Sequence, residues 1–147
     1  MIATPRILRF RAAGLPLAVL VADVFRLDQT TTALPIPFGH RALVGVVTGD
    51  NAIEPIFPLF DLRGLCKSPV AQQAYRYLLV DTSAGLLGIV ADSVGRATTS
   101  YQRQEEDFTS VPPALRCILA GCGSDDSGGF FFFSPGQLAN ALELCRK

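Results

Sequence analysis

Apolar and polar positions alternate in short runs along this chain, and long stretches with a helical period are scarce. Between Arg6 and Ala12, Ile7, Arg9 and Arg11 alternate with Leu8 and Phe10, the pattern of a half-buried strand. A second apolar run, Leu15 to Val21, follows across Ala13-Gly14, which predicts a tight hairpin. Val24 to Leu27 continues the sheet after a kink. The segment LPIP at 34–37 can donate few ladder hydrogen bonds and belongs at a sheet edge or in an extended connector. Val44 to Thr48 reads as a buried strand, Gly49-Asp50-Asn51 as a hairpin turn, and Ile53 to Phe60 as the returning strand. Further strands are predicted at 75–81, 85–94, 96–101, 115–122 and 130–133. QRQEED at 102–107 is a charged, solvated loop, and 123–129 is a turn. Four consecutive phenylalanines, 130–133, cannot all point outward, so at least two must be buried between layers.

The C-terminus departs from this pattern. Ser134, Pro135 and Gln137 supply an N-cap, a proline at the first helical position and a capping-box partner. Leu138, Ala141, Leu142 and Cys145 then fall on one helical face, and Arg146 and Lys147 sit at the negative end of the dipole. The pattern predicts a short amphipathic helix over 135–145 in an otherwise all-β chain. Its apolar face should pack on the FFFF strand or an adjacent wall.

The segment after Asp61, LRGLCKSPVAQQA, reads as a connector between halves at about 6–66 and 73–147, with allowance for a strand crossing between them. PLFDLRGL and GIVADSVGRA both close an apolar strand with an Asp and a turn, as two similar small barrels would. Two separate cores are expected, one around Val46, Ile56 and Leu59, the other around Leu79, Leu87, Ile89 and Phe132.

Composition narrows the function. With 147 residues, 49% hydrophobic and 18% charged, the chain is of single-domain size and can bury a core. Thirteen basic residues balance 13 acidic ones, so the surplus that nucleic-acid binding needs is missing. A mean hydropathy of +0.33 suggests that a partner covers some apolar surface. Cys66, Cys117, Cys122 and Cys145 form no C-x-x-C pair and read as small hydrophobes or free thiols of a reducing cytosol. Arg6, Arg9 and Arg11 before GLPLAVLVADVF imitate a signal peptide. The strand-like alternation, the interrupting Pro16 and the lack of an A-x-A cleavage site argue against one. Apolar runs are also shorter than the ~20 residues of a membrane-spanning helix. A cytoplasmic protein without membrane insertion is expected.

Candidate chemistry is thin. His40 is the single imidazole, in the loop-like PFGHRA, and Asp61 and Asp92 read as strand-end caps. Glu105, Glu106 and Asp107 form a charge run with no partner base. GCGSDDSGG lacks the Lys and the following helix of a phosphate loop, and Asp125 and Asp126 would repel phosphate. No catalytic constellation, metal set or cofactor fingerprint emerges, which points away from an enzyme.

The order of these features resembles the CheW family of bacterial chemotaxis adaptors from about residue 6 to 145. The matching residues are Val21 and Val24 after the second strand, Leu34-Pro35 with Pro37, and a G-V strand leading to Pro58, Asp61, Leu62 and Arg63. Gly88, Asp92 and Val94 follow in the second half, and then FFFFSPGQLANAL. The family usually has an Asn-x-Arg-Gly turn after the G-V strand. This chain has a longer GVVTGDNAIEPIFP with no Arg, and Thr48 or Asp50 occupies its place. The resemblance implies two five-stranded SH3-like barrels in a non-enzymatic scaffold with no cofactor. It implies a CheA-type histidine kinase and a chemoreceptor tip as partners, in chemotaxis or a related pathway of pili or surface sensing. In such proteins the receptor hairpin lies in the groove between barrels and the kinase regulatory domain at a barrel end. Transferred residue by residue, the partner-binding set is Val21, Val24, Thr48, Gly49, Asp50, Arg63, Gly88 and Asp92. The alternatives are a secreted or periplasmic β-barrel binding module, or a CheW-like regulator that does not bridge receptor and kinase.

Overall fold

A computed structural model describes residues 4–30, 32–36, 40–48, 55–67 and 71–145. Twelve strands occur among them: β1 (Ile7–Ala12), β2 (Leu15–Leu20), β3 (Val24–Thr30), β4 (Ala33–Leu34), β5 (Leu43–Val47), β6 (Phe57–Phe60), β7 (Tyr75–Thr82), β8 (Gly85–Val90), β9 (Ser93–Thr98), β10 (Gln102–Gln104), β11 (Leu119–Asp125) and β12 (Gly128–Phe133). Helices α1 (Pro113–Arg116) and α2 (Pro135–Cys145) and two 3-10 turns, Val21–Asp23 and Leu62–Leu65, complete the order. The first sheet runs β10-β11-β12-β2-β1-β9 and the second β3-β7-β8-β6-β5-β4. Each has six strands where the resemblance implied five, and each includes a very short edge strand, β10 or β4.

Connectivity shows that both sheets are rolled. β9 and β10 lie at opposite edges of the first sheet, yet only residues 99–101 join them. In a flat six-stranded sheet the outer strands would stand about 24 Å apart, whereas that link reaches at most about 14 Å. β3 and β4 repeat the arrangement in the second sheet across residues 31–32. The chain passes between sheets twice. It leaves the first through Val21–Asp23, where Val21 N–H donates to Arg6 O (2.9 Å), and returns through Ala91-Asp92. Ala91 N–H donates to Arg76 O of the second sheet (2.9 Å) and Asp92 N–H to Arg11 O of the first (2.7 Å). This crossing ends β8 at Val90, where the sequence predicted strand to residue 94.

Rolling gives each sheet an inner face and a shared face. Val47, Phe57, Leu59, Tyr77, Leu79 and Val90 cluster inside the second sheet, and Ile7, Ala18, Phe130 and Phe132 inside the first. The largest cluster lies between the sheets and includes Leu8, Phe10, Leu17, Leu78, Ile89, Phe133 and Leu138. The expectation of two separate cores is therefore corrected. Leu59 and Leu79 share one cluster, Leu87 and Ile89 belong to the joint core, and Phe132 lies in the third. Ile56 is 69% exposed and Val46 half-buried. Val46 pairs with Pro58 and Val47 with Phe57, so strand parity turns Val47 inward and Val46 out. On β12 both faces are covered, with Phe130 and Phe132 inside the sheet and Phe131 and Phe133 toward the joint core.

Three local expectations are refined. Pro112-Pro113 starts α1 rather than a strand, as proline at a first helical turn favours, and β11 begins only at Leu119. β11 and β12 extend to Asp125 and from Gly128, which leaves Asp126-Ser127 as the turn. The loop expected at 102–107 contributes β10 before Glu105, Glu106 and Asp107 become exposed. The predicted turn at 49–51 and residues 146–147 lie outside the described residues.

α2 spans the predicted range. Ser134 Oγ accepts from Gln137 N–H (3.2 Å), an N-cap. The capping box is not completed, because Ser134 N–H donates to Ile118 O. With its amide turned to donate, the Gln137 side chain instead bonds Cys117 O (2.9 Å) and Leu119 O (3.0 Å). Leu138, Ala139 and Leu142 enter the joint core, and the helix packs on β7. An element that follows the first sheet thus rests on the second and ties the two together. Each leucine buried there stabilises by about 1.5–3 kcal/mol before ordering costs.

Candidate partner-binding surface

Asp61 is 2% exposed and opens the 3-10 turn Leu62–Leu65. Its Oδ1 accepts from Arg63 N–H and Nε–H, both at 3.1 Å, and its Oδ2 from Arg63 Nη2–H at 2.9 Å. A carboxylate can be buried here because one nearby residue satisfies both oxygens. The Arg63 guanidinium is held above its usual range first by the Asp61 hydrogen bond, against the opposing effect of burial. The charges of Asp61 and Asp92 add to the rise. The structure therefore brings Arg63 and Asp92 into one electrostatic neighbourhood. Arg41 Nη2–H donates to Leu65 O (2.7 Å) and fastens the same turn.

The other predicted site residues fall into three groups. Val21 and Val24, at the first crossing, are half-buried against the joint core, while Asp92 is exposed at the second. These crossings bond to opposite ends of β1, at Arg6 and Arg11, and so bracket the junction of the sheets. Thr48 is exposed beyond β5, and Gly49 and Asp50 lie outside the described residues. Gly88 is buried in β8, where a Cβ would stand 2.8 Å from the Phe57 ring. It serves packing and offers no side chain to a partner.

An apolar surface escaped the sequence reading. β3 and β9 are edge strands of different sheets, and Leu27 of one and Val94 of the other line a single open cleft of about 440 Å³ with Asp28, Gln29 and Arg76. Leu27 is 47% exposed and Phe25, the extra residue of a bulge between Val24 and Arg26, is 57% exposed. Local pattern marked Val24 to Leu27 as strand but carries no signal that this strand is an edge, since that depends on partners distant in sequence.

The surface offers apolar contact rather than reactive groups. His40 is half-buried, and its Nδ1 accepts from Ala42 N–H (3.0 Å). Among the described residues no three His, Cys, Asp or Glu side chains gather into a metal-binding group. Cys66, Cys117 and Cys122 are free thiols, and the side chain of Cys145 lies outside the described residues. No described helix is long and apolar enough to cross a membrane.

No protein-family model matches this chain, and no curated protein sequence matches it either. A solved structure does: the scaffolding protein TtCheW from Thermoanaerobacter tengcongensis. It aligns with a TM-score of 0.71 over 92% of this chain and 92% of its own, at 16% identity. At that identity the likeness is one of fold. The chain has a CheW-like fold, as its motif order implied.

Proposed function

From the CheW-like fold, we propose that this chain is a non-enzymatic, cytoplasmic scaffold that couples a chemoreceptor tip to a CheA-type histidine kinase. The observation that supports the reading is the open junction of the two sheets, where the exposed Leu27 and the half-buried Val94 line one cleft, with Phe25 exposed on the same strand as Leu27. A groove flanked by apolar anchors suits a helical hairpin, which recognises such surfaces through residues three and four apart. Val21, Val24 and Asp92 frame the receptor side. Thr48, Gly49, Asp50 and Arg63 are assigned to partner contact by the family resemblance alone. Gly88 acts through the packing of the second sheet's interior, under Phe57 and Leu59.

Calorimetric titration of the intact chain with a receptor-tip fragment and a kinase regulatory domain tests this. Val21→Glu is expected to weaken receptor binding by about 2 kcal/mol or more, because an unpaired charge would enter a desolvated contact. Leu27→Glu, at a more exposed position, should act in the same direction with less risk to folding. Thr48→Arg restores a donor fork where relatives carry one and should leave binding unchanged or tighten it. If neither partner binds the parent, or both Glu variants bind as the parent does with circular dichroism unchanged, the reading fails.

A further inference from the structure

The seam of the first sheet holds a second, polar cleft of about 720 Å³, away from the apolar junction. Arg9, Arg11, Arg96, Ser93, Ser100 and Asp125 are among its lining groups. A bulge shapes it. Leu8 pairs with Ala97 and Phe10 with Val94, so Gly95 and Arg96 together oppose Arg9 alone. Val94 and Ala97 turn to the joint core, which leaves Arg96 on the cleft side beside Arg9. Like charges on neighbouring strands destabilise a sheet. Arg9 is compensated: its Nη1–H donates to Asp125 at 2.6 Å, and its guanidinium lies 4.4 Å from the Phe130 ring centre. Arg96 has no ion pair among the described residues. Arg11 spends one donor on Gly14 O (3.1 Å) and likewise has no carboxylate.

We infer that this cleft receives an extended acidic peptide segment of a partner protein, its carboxylates on Arg96 and Arg11. Two uncompensated guanidinium forks match carboxylates. The cleft follows the chain from Ser93 through Ser100, far more than one small anion fills, and its volume suits a few residues of extended chain. Asp126 also lines the cleft and repels carboxylates from its own part of it, which favours their placement on the arginines. The Gly95–Arg96 bulge breaks the regular edge of β9, so the segment is held by its side chains rather than as an added strand. None of this depends on the adaptor reading, since the cleft shares no lining residue with the apolar junction except through the backbone of β9.

The test titrates the intact chain with acetyl-Glu-Val-Glu-Val-Glu-amide and with its Gln-for-Glu counterpart, following amide signals of residues 93–98 by NMR. Alternate residues of an extended peptide share one side, so the three Glu face the arginines together. The acidic peptide should bind, and the Gln peptide should bind at least roughly tenfold more weakly. Arg96→Gln, at an exposed position, should cost a similar factor while leaving the fold intact by circular dichroism. Raised salt should weaken binding. No shift of these signals at about 1 mM peptide, equal binding of the Gln peptide, or an Arg96→Gln variant that binds like the parent would overturn the inference. So would displacement of the peptide by inorganic phosphate at equal concentration, which assigns the cleft to small anions, or a parent dimer that excludes the peptide, which assigns it to a second copy.

Discussion

The interiors of the two rolled sheets are built from opposite materials. Inside the second sheet Val47, Leu59, Leu79 and Val90 pack with Phe57 and Tyr77, whose rings stand 5.2 Å apart. Inside the first, the apolar cluster is small, and Tyr101, Phe130 and Phe132 contact one another at 5.1–6.3 Å. Two guanidinium groups then cap the rings, Arg9 over Phe130 and Arg103 over Phe132, both at 4.4 Å. The second sheet is filled mainly by dispersion and exclusion of water, with one half-buried guanidinium, Arg26, donating to Tyr77 Oη (3.4 Å) at its margin. The first is closed by aromatic faces that accept cations, with an ion pair at the mouth. The same topology can thus be closed mostly by apolar packing or by cation-capped rings, and the larger polar cleft lies on the cation-capped sheet.

The largest test of that contrast is Leu79→Ala. The residue is fully buried, and the change should cost about 2–5 kcal/mol in chemical denaturation. Because no carboxylate or imidazole belongs to that cluster, the cost should be the same near neutrality and near pH 4. A cost that varies with pH would show that the second interior is less dry than described.

Next come two glycines, each beneath an aromatic ring. A Cβ at Gly88 would stand 2.8 Å from Phe57 Cε2 and 3.1 Å from Leu59 Cδ1. At Gly123 it would stand 2.6 Å from Phe130 Cζ. Gly88→Ala should destabilise by about 1–3 kcal/mol, since the fully buried Phe57 and Leu59 side chains it meets must shift. Gly123→Ala should cost less despite the shorter ring contact and a backbone one, Gln102 O at 3.1 Å, provided that the Phe130 ring tilts within the smaller first interior. Equal costs in urea melts would mean that the first sheet is as rigidly filled as the second.

The ion pair supplies the third test. Arg9 donates to Asp125 and holds its carboxyl below the usual range, helped by the backbone N–H groups of Ser127 and Gly128 and opposed by burial. A carboxylate depressed in the folded state stabilises above its unfolded value of about 3.9, and that stability disappears as pH falls through the folded value. The parent should exceed Asp125→Asn by about 1 kcal/mol at pH 6, a gap that shrinks steadily below pH 4. A gap independent of pH over that range would remove the pair from the closing of the first sheet.

What the sequence made legible follows the reach of each signal. The hairpin at Ala13-Gly14, α2 with its Ser134 cap and the burial of the phenylalanine run are written within a few residues, and each appears in the structure. Asp61 and Asp92 looked alike, each ending an apolar strand before a turn. Asp61 became a buried cap paired to Arg63, while Asp92 is exposed and bonds the other sheet through its backbone. The difference lies in which sheet the next strand joins, and no local pattern carries that. The same holds for the cores: in apolar runs such as Val46-Val47 and Leu78-Leu79 the sequence does not tell which residue faces which interior, and Val47 rather than the expected Val46 points inward. The polar cleft depends on a one-residue bulge opposite Arg9, which the alternation of β1 could not announce.

The smallest effect expected is a gain. The turn between β1 and β2 has Ala13 at φ 53° and Gly14 at φ 76°, both in the left-handed region. Two-residue hairpin turns with both residues there favour Asn-Gly, because the twist then matches that of the strands. Gly14 fits without cost, but an alanine pays for its Cβ, by about 1 kcal/mol, where an Asn side chain tolerates the region. Ala13 packs partly against the joint core, so an Asn there gives up a little apolar contact. Ala13→Asn should therefore stabilise the chain by about 0.5 kcal/mol, read as a small rise in the denaturation midpoint at unchanged slope. The gain should persist in Asp125→Asn, since the hairpin and the ion pair sit at separate places on the first sheet and share no partner. If the two changes fail to add, the first sheet's turn and its charged mouth are coupled through Arg9 and Arg11, and its interior behaves as one polar network rather than as independent devices.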